Sequence, residues 1–399
     1  MTAPLVPRVL RPRRAAPADA VRPTRAEVNL EALRHNLRVV RRAAGNARVW
    51  AVLKADAYGH GAPAVARTLE RAGADGFCVA LLEEAVELRE AGIRAPILIM
   101  GGHYGTDPAA YEEVVARALV PVVHDIEQVA AFARVVRGGV APGPVGVHLK
   151  VDTGMARLGV TMQALPALAA RLAEFPEVRV AGLMTHLASA DEPTEQQTAE
   201  QMARFEEASA LLARHGVRPE VRHAANSAAT LRAQARLDVV RPGIALFGVS
   251  PEVGGRALTT ELRPVMRVRT EIVAVRDVAA GAPVGYGATW RALRASRIAT
   301  LPLGYADGLS RRLAGVGAVL VRGKRAPIVG AVSMDMTMVD VTDVPGADVR
   351  DEAVVLGRQE GPLGKDCIGA DEIAAQADTI AWEVLTSVSR RVPRFYREP

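Results

Sequence analysis

Lys54 is the residue whose position most clearly suggests chemistry. It follows the apolar run Val49–Leu53, and a turn with Gly59 and Gly61 comes after it. A lysine carries a compact charge that prefers water, so an amine at the tip of a buried strand is well placed to act as a nucleophile or Schiff-base partner. The alternative is a solvated lysine at a strand end, which is the commoner situation for this residue type.

Other polar residues follow apolar runs further along the chain in the same way. They are Lys150, Asp152, His186, Asn226, Ser227, Arg241 and Gly243. In a (β/α)8 barrel the carboxyl ends of all strands meet on one face, which carries the active site. The pattern therefore predicts that these residues share one site with Lys54. A dinucleotide-binding fold would instead require G-x-G-x-x-G after the first strand, and the local GHGA does not supply it.

Eight short apolar runs, separated by helical stretches, would position these residues. The runs are Val49–Leu53, Gly76–Leu81, Pro96–Met100, Val120–Val123, Val145–Val151, Val178–Met184, Glu220–His223 and Asp238–Val240. Strands of nearly continuous apolar character that alternate with helices are typical of an α/β fold, here a (β/α)8 TIM-type barrel. A doubly wound open sheet is the alternative.

The pattern changes after about Pro251, where β-branched segments separated by Gly and Pro replace most of the helices. This change indicates a C-terminal all-β domain of roughly 140 residues. We therefore expect a disordered basic extension at residues 1–21, the barrel over residues 22–256 and the β-domain over residues 257–399.

Charge and cysteine content narrow the function classes. The net charge is +6, but the arginines are spread along the chain without a basic stripe of interleaved aromatics, so nucleic-acid binding is unsupported. The two cysteines, Cys78 and Cys367, lie far apart and form neither a disulfide framework nor a metal-type pair. The chain also lacks a run of about 18 apolar residues. We expect a soluble cytoplasmic protein with no bound metal and no membrane partner.

A phosphate group would have a natural place in such a barrel. Phosphates often bind at the loops after strands seven and eight, against backbone N–H groups. By the strand count, Ser227 and the Gly243–Ile244 backbone lie at these loops. Ser227 could equally cap a helix, and the two roles are compatible.

Eight motifs in order carry a family resemblance. They are AVLKADAYGHGA, HLKVDTGMARLG, LMTHLASADE, RHAANSAAT, VRPGIALFG, GYGAT, PLGYADG and SMDM. Together they resemble bacterial alanine racemases from about Arg22 to the C-terminus. The resemblance implies a fold-type III pyridoxal-phosphate enzyme. It also implies a head-to-tail homodimer in which each active site takes residues from both subunits.

The resemblance assigns the two catalytic residues. Removing an α-proton requires an electron sink, which pyridoxal 5'-phosphate provides. A racemase also needs bases on both faces of the α-carbon, because one base that returns the proton to the same side inverts nothing. Lys54 would hold the cofactor and serve as one base, and Tyr286 of the other subunit would be the second.

The resemblance also assigns supporting roles around the cofactor. Tyr58, Asn226, Ser227, Gly243 and Ile244 would bind it, largely at its phosphate. Further residues would contact its ring or the substrate carboxylate, or support those that do: Arg241 at the pyridine nitrogen, His186 beside the ring, Arg157 and Met334 at the carboxylate, and Lys150, Tyr305 and Asp335 as supporting residues.

The implied activity is interconversion of L-alanine and D-alanine, which supplies D-alanine for peptidoglycan. Ala331 stands where many family members have arginine, and Arg390 where some have tyrosine. These departures leave a racemase of serine or another small amino acid open. A non-catalytic pyridoxal-phosphate barrel protein is a further alternative, but that class lacks the β-domain. A related decarboxylase of basic amino acids would require a Cys-Asp type site and a glycine-rich phosphate loop.

Overall fold

The computed structural model describes residues 20–102, 107–253 and 256–398. The predicted disordered extension at residues 1–21 therefore lies almost entirely outside the described residues. No helix in these ranges combines the length and the apolar character needed to cross a membrane.

The N-terminal module is the predicted parallel barrel with surrounding helices. After a first strand, β1 (Arg25–Asn29), its strands are β2 Arg48–Val52, β3 Gly76–Val79, β4 Ile97–Ile99, β5 Val120–Val123, β6 Val145–Asp152, β7 Val160–Thr161, β8 Val178–Met184, β9 Val221–His223 and β10 Val239–Val240. Its helices are Leu30–Ala44, Ala62–Arg71, Leu82–Glu90, Pro108–Ala116, Ile126–Arg137, Leu165–Arg171, Gln196–Arg214 and Ser227–Leu231. The eight predicted strands are all present; Val120–Val123 and Val178–Met184 have the predicted ends, and the ends of the others differ by at most two residues.

The strand order excludes the doubly wound alternative. The strands pair in the sequence β10-β2-β3-β4-β5-β6-β8-β9, with the short β7 alongside β6. The remaining gap is bridged by backbone hydrogen bonds from Asp238 N to Arg222 O (3.1 Å) and from Arg241 N to Ala225 O (2.9 Å). The ring of strands is thus nearly closed, and the fold-class prediction is confirmed.

The C-terminal module is the predicted all-β unit with a few short helices. Two short strands, β11 Glu252–Val253 and β12 Arg256–Ala257, precede it. Its strands are β13 Met266–Glu271, β14 Ala274–Val278, β15 Pro283–Val284, β16 Trp290–Arg291, β17 Ser296–Leu301, β18 Ala318–Val321, β19 Lys324–Val329, β20 Thr337–Asp340, β21 Glu352–Gly361, β22 Gly364–Ile368 and β23 Arg394–Arg397. Its helices are Ala370–Ala377 and Ala381–Ser387.

The first strand crosses from one module to the other. β1 precedes the barrel in sequence, yet it pairs with β13 and β23 in the sheet of the C-terminal module. Buried Glu27 on β1 binds Arg269 of β13 (Nε–Oε1 2.7 Å) and Arg397 of β23 (2.6 Å). The N-terminal end of the described chain is therefore tied into the β-module by both backbone and charge.

The turn after Lys54 has an unusual backbone. Ala55, Asp56, Ala57 and Tyr58 all have φ between 52° and 57°, the left-handed region. Each such residue costs about 1–2 kcal/mol, so the surroundings must hold the turn. Glu84 Oε1 accepts from Ala55 N (2.6 Å), and Asp56 Oδ1 accepts from Ala62 N (2.6 Å).

The C-terminal module packs directly on the far side of this turn. A Cβ added at Gly59 would lie 2.4 Å from Leu385 O, and Arg394 Nε donates to Gly59 O at 2.9 Å. A Cβ at Gly61 would lie 1.9 Å from the Tyr396 hydroxyl. The glycines of the motif are thus required by close approach as well as by their positive φ.

Two aromatic rings pack together in the barrel interior, and their packing requires a glycine at position 182. The rings of Trp50 and His148 stack with centroids 5.5 Å apart. A Cβ at Gly182 would lie 2.5–2.6 Å from three atoms of the His148 ring. Only glycine at this position leaves room for the ring.

We predict that Gly182→Ala lowers the free energy of unfolding by about 1–3 kcal/mol, because overpacking forces His148 out of its stack. Gly143→Ala is the matched control, since no atom lies within 4 Å of a Cβ there and its φ is not positive; its effect is expected to stay within about 0.5 kcal/mol. Urea unfolding of both variants makes the measurement. Equal stability of the two variants would contradict the packing account.

Candidate active site

A cavity of about 140 Å³ lies at the carboxyl ends of the barrel strands. Predicted residues line most of it: Lys54, Tyr58, His186, Asn226, Ser227, Arg241, Gly243 and Ile244. They come from the loops after several different strands, as a barrel active site requires. The structure therefore brings these eight residues together around one space.

Lys54 is the amine of this cavity. Burial, reinforced by the nearby charge of Arg157, lowers the pKa of Lys54, and Glu84 opposes the shift. A lowered pKa increases the neutral fraction of the amine at neutral pH, which is the form that attacks carbonyl carbon or accepts a proton. The amine is therefore suited to both jobs that the sequence suggests.

Arg241 is a buried cation with neutral partners. Its guanidinium lies 2.7 Å from His223 Nδ1 and donates to Thr185 O (2.7 Å) and Ala224 O (3.1 Å). Its Nε is buried and has no hydrogen-bond partner among the residues that the structure describes. Burial lowers the pKa of Arg241 to about 10, which still leaves the group protonated at neutral pH. The site thus holds a positive charge with one donor left over.

The arginine fixes the protonation of two histidines behind it. A guanidinium can only donate, so His223 Nδ1 must accept and its Nε2 must carry the hydrogen. His223 Nε2 then donates to His148 Nδ1 across 2.8 Å. Burial, with the Arg241 charge, lowers the pKa of His148 to about 3 and that of His223 well below its ordinary value. Both rings are neutral, as this sequence of hydrogen bonds from Arg241 to His148 requires.

Ser227, Gly243 and Tyr58 form another part of the cavity wall. Ser227 Oγ accepts from Gly243 N at 2.8 Å, which leaves the serine hydrogen available to a ligand. A Cβ at Gly243 would lie 2.3 Å from the Tyr58 hydroxyl, so glycine is needed there. Asn226 caps the following helix by accepting from Ala229 N at 3.0 Å. The helix cap is therefore Asn226 and not Ser227, whose side chain binds the Gly243 backbone at the cavity.

Lys150 and Arg157 add positive charge beside the cavity. Burial, with the charges of Arg157 and Arg241, lowers the pKa of Lys150 to about 8. Arg157 is exposed on the loop after β6, and Asp152 Oδ1 shapes that loop by accepting from the N–H groups of residues 154–156 at 2.9–3.1 Å. The charges of Lys150, Arg157 and Lys54 therefore influence one another. Neither Lys150 nor Arg157 lines the cavity itself.

Four predicted residues lie elsewhere. Tyr286 is at the tip of the β15–β16 hairpin and 75% exposed, and Met334 is 53% exposed. Tyr305 and Asp335 are also on the β-module surface. None of the four lines the cavity that contains Lys54 in the same chain.

The cavity also has walls that sequence reasoning did not assign. Trp382 lines it from the helix Ala381–Ser387 of the C-terminal module, and Asp191 lines it from the loop after β8. Asp191 lies in the motif LMTHLASADE, so the sequence did contain a signal that could have placed it at the site. His148 and His223 also lie in quoted motifs, but their contact joins residues far apart in sequence.

A lysine-bearing, cationic cavity on a (β/α)8 barrel, walled by a C-terminal β-module, defines a class of two-module amino-acid racemases. Residues 28–251 match the family model "Alanine racemase, N-terminal domain", and residues 265–396 match "Alanine racemase, C-terminal domain". The chain belongs to the alanine racemase family and is an isomerase.

Individual relatives cover almost the whole chain. It is similar to an alanine racemase of Sorangium cellulosum, with 62% identity over 95% of this chain and 100% of the relative. Alanine racemase from D-cycloserine-producing Streptomyces lavendulae matches in structure with a TM-score of 0.88 and 34% identity, over 95% of this chain and 98% of that one. A histidine racemase from Leuconostoc mesenteroides matches with a TM-score of 0.86 and 28% identity, over 96% and 100%.

The buried histidines predict that acid weakens the fold. Burial lowers the pKa of His60 to about 4, and those of His148 and His186 to about 3. Between pH 6.5 and these values the unfolded chain binds protons that the folded chain does not, so stability falls as the pH falls. Each such histidine contributes about 1.4 kcal/mol per pH unit below about pH 6.

We therefore expect the free energy of unfolding, measured with urea, to drop between pH 7 and pH 5. His60→Gln removes one buried titrating ring and should make this slope shallower, whereas the matched change His215→Gln at an exposed position should leave the slope unchanged. A wild-type stability that is flat over this range would contradict the assignment of these rings as neutral.

Proposed function

We propose that this chain is a pyridoxal 5'-phosphate-dependent racemase that interconverts L-alanine and D-alanine in the cytoplasm and supplies D-alanine for peptidoglycan. The observation that carries the proposal is that one cavity is lined by both the Lys54 amine and the buried Arg241, whose Nε has no partner in the described part of the chain. Family membership and the names of the relatives support the choice of alanine.

The residues present fit that cofactor. Arg241 Nε, which has no hydrogen-bond partner among the described residues, is a donor suited to a pyridine nitrogen. The Ser227 hydroxyl accepts from Gly243 N and keeps its own hydrogen to donate to a phosphate. The excess of cations around the cavity favours an anionic ligand. When bound, the cofactor supplies the electron sink that makes an α-proton removable.

Arg241 would tune that sink. A guanidinium is always a donor and never an acceptor, so it favours an unprotonated ring nitrogen. His223 and His148 hold it in place while adding no negative charge. An arginine at this position would therefore favour racemisation over side reactions such as transamination.

Lys54 would act twice on the same face of the substrate. Its amine would hold the cofactor, and the same amine, when free, would take or return the α-proton. The lowered pKa of Lys54 favours both steps because each needs the neutral amine. By the family resemblance this is the face of the D-enantiomer.

The second base would be Tyr286 of another subunit. Its place at an exposed hairpin tip, outside the cavity of its own chain, suits a side chain that enters a neighbour's site. Exposed Met334, Met336 and Tyr305 on the same module support a homodimer, since solvent-facing apolar groups of this size often mark an interface.

The substrate carboxylate would be held by Arg157 and by the backbone N–H of the partner's Met334. Lys150, with a pKa of about 8, is partly neutral at physiological pH. A neutral amine is the form that reacts with carbon dioxide, so a carbamate on Lys150 could orient Arg157 as it often does in the family.

Alanine is the proposed substrate because the matching family models and the relatives are alanine racemases. Trp382 of the C-terminal module adds a large side chain to the cavity wall. Ala331 and Arg390 leave serine as the second candidate. The similarity to a histidine racemase supports testing amino acids other than alanine, because that protein shares the fold at 28% identity.

The function is tested by incubating purified protein with single L-amino acids in D₂O and following α-proton exchange and chirality. Alanine should exchange and racemise, with serine slower by about 10-fold or more. Lys54→Ala should lose the cofactor's visible absorbance and reduce exchange by at least about 10³-fold. Arg38→Ala, a matched removal of an exposed cation on a barrel helix, should change neither. Exchange by Lys54→Ala at the wild-type rate would overturn the proposal.

A further inference from the structure

We propose that Arg391, together with Asp307 and Arg22, positions the two loops that carry Tyr305 and Met334. The inference deepens the proposed function and rests on it, because it takes Met334 as a group that binds substrate in the neighbouring subunit. It assigns Arg391 a positioning role, since its side chain touches neither substrate nor cofactor.

Asp307 is the centre of this arrangement. Its side chain is fully buried. Oδ1 accepts from Arg22 (2.6 Å) and Arg391 (2.8 Å), and Oδ2 accepts from Arg22 (3.0 Å) and Gly304 N (3.0 Å). A buried carboxylate with every oxygen engaged by donors is held in one geometry. Asp307 therefore fixes the loop in which it lies.

Arg391 connects this loop to the next one. Its Nε donates to Asp307, and its Nη2 donates to Asp335 Oδ1 at 2.6 Å. Hydrogen bonding to Asp335 raises the pKa of Arg391, with a contribution from Asp307. One planar guanidinium thus bridges two carboxylates on two loops, a task that its fork geometry allows.

The two loops also touch through their backbones. Tyr305 N donates to Ser333 O (3.0 Å), and Ala306 N donates to Met334 O (3.1 Å). A Cβ at Gly304 would lie 2.3 Å from Ser333 O, so the chains approach as closely as glycine permits. A displacement of Asp335 is therefore transmitted to Met334 and Tyr305.

The two arginines reach the loops from opposite ends of the chain. Arg22 precedes β1, and Arg391 lies between the helix Ala381–Ser387 and β23. Ser389 N of the same C-terminal segment also donates to Asp307 O at 3.0 Å. With two arginines and two aspartates the group is neutral as a whole, so it orders the loops without adding net charge.

Tyr286 is held first by its own hairpin. The β15–β16 pairing forms this hairpin, which meets the Met334 segment at Gly330, directly after β19, where Val284 O lies 2.6 Å from the position of a Cβ. Loss of Arg391 should therefore loosen substrate binding more than proton transfer. This difference separates a positioning role from general destabilisation.

The test compares Arg391→Gln with Arg397→Gln in the full-length holoenzyme. Arg397 lies on the same C-terminal segment and also binds a carboxylate, that of Glu27, but away from the two loops. For Arg391→Gln we expect KM for alanine to rise about 10-fold with kcat changed less than about twofold. For Arg397→Gln we expect both constants to stay near the wild-type values.

Hydrogen–deuterium exchange provides a readout that does not depend on activity. In Arg391→Gln, amides of residues 304–308 and 333–337 should exchange faster, while the rest of the sheet keeps its protection. Arg391→Lys should fall between wild type and Arg391→Gln, since an ammonium cannot reproduce the planar bridge.

Two results would overturn the inference. One is wild-type KM and wild-type loop exchange in Arg391→Gln. The other is a uniform rise in exchange across the β-module with KM and kcat both degraded, which would make Arg391 a structural residue only. If the wild-type protein racemises no amino acid, the proposed function fails, and the exchange data alone decide whether Arg391 couples the loops.

Discussion

The buried positive charge of Arg241 is the constraint around which the site is built. Among the described residues no carboxylate pairs with it; its partners are two backbone carbonyls and a neutral histidine. An uncompensated buried charge is costly, and Lys54 and Lys150 add to the positive potential nearby. An anionic ligand in the cavity would compensate this cost. The neutral chain of His223 and His148 keeps Arg241 oriented toward that ligand without cancelling its charge.

A second constraint follows from the geometry of inversion. The proposed base in the cavity of one chain is Lys54, whereas Tyr286, the proposed second base, is exposed on the β-module of that chain. In the proposed dimer, the β-module contributes to two active sites. Trp382 lines the cavity of its own chain, while the exposed Tyr286 and Met334 would enter the cavity of the partner subunit. The network of Asp307 and Arg391 gives the outward-facing loops the rigidity that a shared site needs.

The sequence allowed the barrel and most of the cavity to be predicted, because both depend on local patterns. Apolar runs mark strands, and polar residues at the ends of parallel strands must meet on one face. The strand β1 was not predicted, since its partners β13 and β23 lie hundreds of residues away. Trp382, the contact of His148 with His223 and the bridging role of Arg391 were missed for the same reason. Each depends on how distant segments pack, and residue spacing carries no signal of that.

The central claim is that a complete site needs Lys54 of one subunit and Tyr286 of another. Mixed dimers test it most directly: Lys54→Ala and Tyr286→Phe, each inactive alone, are unfolded and refolded together or co-expressed in equal amounts. Random pairing gives half mixed dimers, each with one intact site, so about a quarter of wild-type racemase activity should return. Activity no higher than that of the separate variants, with mixed dimers shown to have formed, would contradict the account.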